Sequence, residues 1–222
     1  MVGAIGFAAL GVWQIERRAW KLDLIARVDA RVHAAPAALP AVASWAAINE
    51  RDDAYSRVTA TGTFDYRAET LVQAVTERGG GFWVLVPLHT AQGLVLVNRG
   101  FVPDTLRDPA SRPAGQLAGP VTVVGLLRIT EPGGAFLRSN DPAAGRWYSR
   151  DVAAIARARH LGAVAPFFID ADATPNPGGY PVGGLTIVQF RNSHLVYALT
   201  WFALSGLCLA AIGLLVRRKR AI

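Results

Sequence analysis

Five side chains with a polar or reactive group follow one another near the C-terminus, at steps of three, four, four and three residues. They are His194, Tyr197, Trp201, Ser205 and Cys208. In an α-helix this spacing places all five on one face. A neutral imidazole can bind a metal ion or a haem iron, so His194 is a candidate ligand. A simpler interpretation is that the face packs on a neighbouring helix and that Tyr197 and Trp201 are interfacial anchors. The spacing alone leaves both interpretations open.

The segment that carries these residues is long and apolar enough to cross a membrane. Residues 195–216 contain no ionisable side chain except Tyr197 and Cys208, and at 1.5 Å per residue they extend about 33 Å. Four basic residues follow at 217–220, and such flanks stay on the cytoplasmic side during insertion. We therefore predict a transmembrane helix over 191–216, a basic cytoplasmic tail over 217–222, and His194 at the outer membrane surface.

Residues 1–15 form a second apolar run, which ends at Glu16. As a helix it spans about 22 Å, less than a crossing normally needs. A signal peptide fits poorly, because no basic segment precedes the run and no Ala-x-Ala-like site follows it. We expect a first transmembrane helix, short at its N-terminus, which continues outside the membrane to give a segment over 1–33. Pro36 and Pro40 indicate a linker over 34–43.

Between residues 44 and 190, short runs rich in Val, Thr and aromatic residues alternate with turn signals. One helix is predicted over 151–162, with Asp151 at its start and Gly162 at its end. The pattern predicts a mainly antiparallel β domain of α+β class with a single core. The predicted strands are 57–64, 69–76, 81–89, 94–98, 121–129, 147–149, 166–169 and 185–190, and the predicted turns are 79–81, 92–93, 132–134 and 176–179.

Composition excludes several classes of protein. The formal net charge is +7, but four of the 23 basic residues lie in the C-terminal cluster, which leaves 19 against 16 acidic residues. The remaining basic residues are dispersed and accompany no recognition motif, so we expect no nucleic-acid partner. The single cysteine, Cys208, provides no internal disulfide and no Cys-x-x-Cys site.

The sequence also argues against an enzyme. Asp170 and Asp172 form a candidate carboxylate pair, but loop-end carboxylates are usually solvated. Neither Ser139 nor Ser149 lies in a Gly-x-Ser-x-Gly elbow, and no phosphate-binding glycine loop or zinc motif is present. His89 and His160 have no partner at metal-ligand spacing and are interpreted as structural or surface residues. The histidines 89, 160 and 194 therefore differ in expected role.

Three stretches of the chain resemble the Surfeit locus protein one family, membrane proteins that assist assembly of haem-copper cytochrome oxidase. They are LGVWQIERRAWK at 10–21, VNRGFVP at 97–103 and FRNSHLVYALTWF at 190–202. Gly62 and Phe64 form a weaker fourth element. Together, and in this order around a β domain, the matches cover nearly the whole chain. The short first helix is a departure from the family pattern.

The resemblance implies that the protein binds haem a as a transient cargo. The histidine on the second helix of bacterial members corresponds to His194, which would then be the haem-iron ligand. Arg191, Arg17 and Arg18 should lie at the same outer level and could pair with the propionates, or could only extend toward lipid headgroups. Trp13, Tyr197 and Trp201 could pack on the porphyrin or could form the aromatic belt, and the belt is the expected role for Trp13. Arg99 is expected either to face the haem site or the oxidase, or to form a buried ion pair that supports the domain.

The same resemblance implies the partners and the location. These are subunit I of an aa3-type cytochrome c oxidase, the haem a synthesis enzyme and membrane lipid. Both termini would be cytoplasmic and the β domain periplasmic in a bacterial inner membrane, or the membrane would be the mitochondrial inner membrane in a eukaryote. The alternative is a scaffold that stabilises a subunit I intermediate without binding haem, in which case the His194 face contacts protein.

Overall fold

The computed structural model describes residues 1–135 and 137–220, with the backbone alone for residues 219 and 220. The chain divides into two compact units, one formed by Met1–Asp29 and the chain from Val188, the other by Ala30–Ile187. The helices are α1 (Val2–Val32), α2 (Glu50–Asp53), α3 (Val152–Ala158) and α4 (His194–Arg220). The strands are β1 (Ala37–Ala38), β2 (Arg57–Phe64), β3 (Thr70–Thr76), β4 (Gly79–Thr90), β5 (Gly93–Pro103), β6 (Val121–Ile129), β7 (Gly134–Ala135), β8 (Arg138–Ser139) and β9 (Val164–Ala171).

The first unit is an antiparallel pair of helices. Ala4 and Phe7 near the start of α1 contact Ser205 and Trp201 of α4, whereas Lys21, further along α1, contacts Phe190, just before α4. Within the described residues, one helix is long and apolar enough to cross a membrane, and it covers His194–Arg218. The helix α1 has 31 residues, but its apolar part is confined to the first half. A crossing by α1 stays a prediction.

The second unit is built around a small closed barrel. The strand order β2–β6–β9–β5–β4 returns to β2, because β2 pairs with β6 over residues 57–62 and with β4 over residues 62–64. The outer strand β3 extends the sheet beyond β4, and the two-residue β1 joins β2. The pairings β5–β9 and β1–β2 are parallel and the other pairings are antiparallel. The predicted mainly antiparallel β domain is therefore confirmed.

Several local predictions are confirmed and three are wrong. The strands β2 and β6 have the predicted bounds, and α3 starts after Asp151, whose carboxylate accepts a hydrogen bond from the Ala154 N–H. The predicted turn at 79–81 instead begins β4, because these glycines pair with β3 and the turn lies at residues 77–78. The predicted strand 147–149 contributes a single bridge, from Trp147 to Val72. Residues 185–190 are in no strand.

The barrel interior is the main hydrophobic core. On β5 the side chains of Val95 and Val97 belong to this core, whereas Leu96 belongs to a second cluster on the other side of the sheet. This alternation is the period of two that a β-strand imposes. The second cluster is covered by Val152 and Ile155 of α3. Because β5 is buried on both faces, its sequence alternates little in polarity.

Candidate functional site

The face of α4 that begins at His194 packs on α1. The Ser205 hydroxyl donates a 2.7 Å hydrogen bond to the Ala4 carbonyl, and the Trp201 ring stacks on Phe7 with 5.7 Å between centroids. A Cβ on Gly11 would lie 2.5 Å from the Phe202 ring, so glycine permits close approach of the helices at this level. This is the helix contact that the simpler interpretation of the spacing expects.

His194 is the first residue of α4 and contacts α1 through a polar side chain. Its Nδ1 lies 2.7 Å from Oε1 of Gln14, and Gln14 is only 9% exposed. With the amide oxygen of Gln14 as the acceptor, Nδ1 is the donor, so this contact corresponds to the tautomer with the proton on Nδ1. In a neutral imidazole the other nitrogen, Nε2, then has a free lone pair.

This hydrogen bond gives His194 a property that metal-binding histidines share. Such histidines donate their second ring N–H to a carbonyl or carboxylate, which fixes both the tautomer and the orientation of the ring. His194 is half-buried, so part of the residue is accessible to solvent. An imidazole nitrogen with a free lone pair has the chemistry of a ligand for iron, zinc, copper or nickel.

The other predicted site residues differ in their surroundings. Trp201 is half-buried and one face of its ring is covered by Phe7. Tyr197 is 53% exposed and lies at the margin of the face that packs on α1. The five-residue face of the sequence prediction therefore divides into side chains that contact α1 and side chains that remain accessible.

The three predicted arginines lie in sequence between two contacts of the first unit, Gln14 with His194 and Lys21 with Phe190. Arg17 is exposed and its guanidinium stacks over the Trp20 ring at 4.3 Å. This contact uses the face of the guanidinium and leaves its N–H groups free in the plane. Arg18 is half-buried and Arg191 is exposed. Within the described residues, neither Arg17 nor Arg191 has a hydrogen bond or an ion pair that an anion would have to replace.

Sequence reasoning missed Gln14, which lies inside one of the family-like stretches but had no assigned role. The signal was present, because Gln14 is the one amide in an otherwise apolar run of 15 residues. A polar side chain within a helix of this kind usually has a partner on a neighbouring helix. The identity of that partner was not readable, since His194 is 180 residues away.

The two residues of the candidate carboxylate pair differ in burial, since Asp170 is buried and Asp172 is half-buried. Asp170 is 2% exposed and accepts hydrogen bonds from Asn98, Arg128 and Arg150. Burial alone would raise the pKa of the neighbouring Glu131, but hydrogen bonds and charge from Arg150 lower it below its ordinary value. Asp170 is thus the counter-ion of two arginines. Within the described residues, no group of three His, Cys, Asp or Glu side chains could hold a metal ion.

The expected buried ion pair of Arg99 is wrong. Arg99 is 3% exposed, but its hydrogen bonds go to neutral acceptors, the carbonyl of Gly115 and the amide oxygen of Asn176. The buried ion pair nearby instead joins Arg112 to Glu69, through two hydrogen bonds. His89 and His160 are both exposed, as a surface assignment expects.

Comparison with known proteins identifies close relatives over most of the chain. The family model described as the SURF1 family matches residues 1–206. Surfeit locus protein 1 of Homo sapiens is 39% identical over 215 residues, which are 89% of this chain and 69% of that protein. A SURF1-like protein of Monosiga brevicollis is 40% identical over 225 residues, 95% of this chain and 83% of that protein. A SURF1-like protein of Caenorhabditis elegans is 32% identical over 220 residues.

Proposed function

This chain belongs to the SURF1 family, and from that premise we propose that it is an assembly factor for an aa3-type haem-copper cytochrome c oxidase. In this proposal the protein receives haem a from the haem a synthesis enzyme, holds it through His194, and assists its insertion into subunit I. Haem a is cargo rather than a resident cofactor, and the protein catalyses no reaction on it.

The observation that carries the proposal is the hydrogen bond between His194 Nδ1 and Gln14 Oε1. It supports the tautomer with the proton on Nδ1, in which Nε2 would be the ligand atom. The neutral side chain of Gln14 orients the ring without adding a negative charge. A carboxylate in its place would make the imidazole a stronger ligand. A neutral partner therefore suits a protein that must release its cargo.

The accessible groups around His194 fit the rest of a haem. The exposed Arg17 and Arg191, with the half-buried Arg18, supply cations for the propionates. The exposed ring of Tyr197 supplies an apolar surface for the macrocycle. Trp201 contributes less than its position in the sequence indicates, because Phe7 already covers one face of its ring.

Membrane insertion completes the proposal. If α4 crosses the bilayer with its basic end inside, His194 is at the outer surface, where the farnesyl tail of haem a can enter lipid and the propionates can stay in water. Because α1 and α4 are antiparallel, α1 would carry the chain out across the membrane and α4 would bring it back. Both termini would then be cytoplasmic. The β domain would then be periplasmic, or in the intermembrane space of a mitochondrion.

A scaffold function is the second candidate, and the apolar surface of α4 favours it. The side chains of Val196, Leu199, Leu207 and Leu214 are each more than 60% exposed, so α1 covers only one face of α4. The uncovered face can contact lipid or a helix of subunit I. In this case the protein stabilises an assembly intermediate, and the His194 face only joins the two helices.

An optical spectrum separates the two functions. The full-length protein is expressed with the haem a synthesis enzymes, purified in detergent, and compared with His194→Ala and with His89→Ala, a matched change at an exposed histidine of the β domain. We expect a Soret band and an α band of haem a in the wild type and in His89→Ala, and neither band in His194→Ala.

Circular dichroism of each preparation establishes that the helices and the β domain are folded. A folded wild-type protein that purifies without haem would refute haem carriage and support the scaffold. Equal haem content in His194→Ala and in the wild type would refute His194 as the ligand. Under the scaffold function, His194→Ala leaves the haem content of the assembled oxidase nearly unchanged.

A further inference from the structure

One end of the β barrel contains a partly open cavity of about 120 Å³. Apolar side chains of three barrel strands form its walls, among them Phe64 of β2, Val97 of β5 and Val123 of β6. All of its lining residues belong to the unit Ala30–Ile187. We call this space the barrel cavity.

Arg99 is the cation of the barrel cavity. It lies two residues after Val97 on β5, beside an irregularity in the pairing with β4, and it lines the cavity. Its guanidinium lies 4.9 Å from the ring centroid of Phe64 and 5.4 Å from that of Tyr66. The hydrogen bonds to Gly115 and Asn176 are 2.7 and 2.5 Å long. They use two of the five N–H donors of the guanidinium.

The charge of Arg99 has no counter-ion in the described part of the chain. Glu69, the carboxylate whose charge acts on Arg99, is already bound by both terminal nitrogens of Arg112. The buried side chains of Arg99, Arg112 and Glu69 therefore comprise two guanidinium ions and one carboxylate. Burial accordingly lowers the pKa of Arg99 from its ordinary value, and the nearby Tyr66 and Glu69 only partly offset this effect.

The carboxylate at the rim of the barrel cavity does not fill this role. Asp172 also lines the cavity, but its Oδ1 accepts hydrogen bonds from the backbone N–H and the hydroxyl of Thr174. Its Oδ2 lies 3.9 Å from Arg57. Asp172 is thus held by its own loop and by another arginine, and it forms no ion pair with Arg99.

The loop that contains Asn176 forms another wall of the barrel cavity, and hydrogen bonds hold it in place. The Asn176 side chain accepts from Arg99 through Oδ1 and donates through Nδ2 to the Pro181 carbonyl, at 2.6 Å. Gly100 has a φ of +126°, and a Cβ there would lie 2.1 Å from the Val182 carbonyl oxygen, so glycine lets this loop lie directly on β5. The barrel cavity is therefore preformed, which reduces the entropic cost of binding.

We propose that the barrel cavity binds a small monocarboxylate with a compact apolar body, and that Arg99 is the residue that pairs with the carboxylate. A buried guanidinium with free N–H donors matches a carboxylate in both charge and geometry. The apolar walls match a hydrocarbon body. The volume of about 120 Å³ restricts the ligand to a small molecule, and benzoate serves as the probe.

Titration with benzoate tests the proposal. Purified full-length protein in detergent is titrated by isothermal calorimetry, with empty micelles as the blank and benzamide as the neutral analogue of the same shape. We expect saturable benzoate binding with a Kd of about 1 mM or tighter. We expect binding of benzamide to be at least about tenfold weaker, because it lacks the charge-assisted hydrogen bonds.

Three variants assign the binding to the barrel cavity. Arg99→Gln removes the cation, and Val123→Phe fills the space without touching Arg99; each should weaken benzoate binding at least about tenfold. Arg67→Gln is the matched control, since the Arg67 side chain is 93% exposed and does not line the cavity, and it should bind as the wild type does.

Three results would overturn the proposal: no saturable binding below about 10 mM, equal affinity for benzamide and benzoate, or unchanged binding in Val123→Phe. If Arg99→Gln does not fold, Val123→Phe and the comparison of the two ligands decide the question without it.

Discussion

Replacing Gln14 by leucine should weaken haem retention while leaving the protein folded. Leucine has a similar volume but no acceptor, so His194 Nδ1 loses the partner that lies 2.7 Å away. A net hydrogen bond of this kind contributes about 1 kcal/mol, and the apolar leucine is compatible with a position that is only 9% exposed. The cost to folding is therefore small, about 1 kcal/mol or less.

The cost to haem binding is larger. Loss of the group that orients a metal-binding histidine typically weakens metal affinity about 10- to 100-fold. In Gln14→Leu the imidazole can rotate and can carry its proton on either nitrogen, so the competent arrangement is no longer the dominant one. We expect the haem a content after purification to fall between that of the wild type and that of His194→Ala.

Two variants and one spectroscopic measurement test whether Gln14 orients the His194 ring. Gln14→Glu keeps an acceptor and should retain haem, and Gln92→Leu makes the same Gln-to-Leu change in a β-domain turn and should have no effect. Nitrogen-15 correlation spectra of the haem-free protein should show Nε2 as the unprotonated nitrogen of His194 in the wild type. Wild-type haem retention in Gln14→Leu would refute the orienting role, as would a spectrum that places the proton on Nε2.

Three further predictions concern the β domain and are read from chemical unfolding of the detergent-solubilised protein. Glu69→Gln leaves the Arg112 guanidinium, whose side chain is 4% exposed, without its counter-ion and should lower the free energy of unfolding by about 3–5 kcal/mol; a loss under about 1 kcal/mol would contradict the ion pair. The pKa of Glu131 is below its ordinary value of 4.5 in the folded state, so its contribution to stability is present above pH 4.5 and is lost as the pH falls through the folded pKa. The variant Glu131→Gln should flatten this acid-side dependence, and an unchanged slope would count against the interaction with Arg150. Gly100→Ala should cost about 2 kcal/mol or more, because alanine is strained at a φ of +126° and its Cβ would overlap a carbonyl oxygen; wild-type stability would show that the loop can move away.

Local sequence patterns were sufficient for the elements whose structure depends on neighbouring residues. The absence of charge over 195–216 predicted the apolar helix α4, and the runs rich in Val and Thr at 57–64 and 121–129 predicted β2 and β6 with the bounds that the structure has. The cap residue Asp151 likewise located the start of α3. The same local reasoning was wrong at the glycines 79–81, because pairing with β3 outweighs the tendency of glycine to form turns.

The sequence by itself therefore determined the apolar helix, most of the strands and the family resemblance, all of which follow from residue type and short-range spacing. Only the tertiary structure decided which distant groups meet. It closed β2 onto β4 as well as β6, joined His194 to Gln14 across 180 residues, and left Arg99 buried without a carboxylate. These contacts depend on how strands and helices pack across long separations, and no periodicity in the chain specifies them.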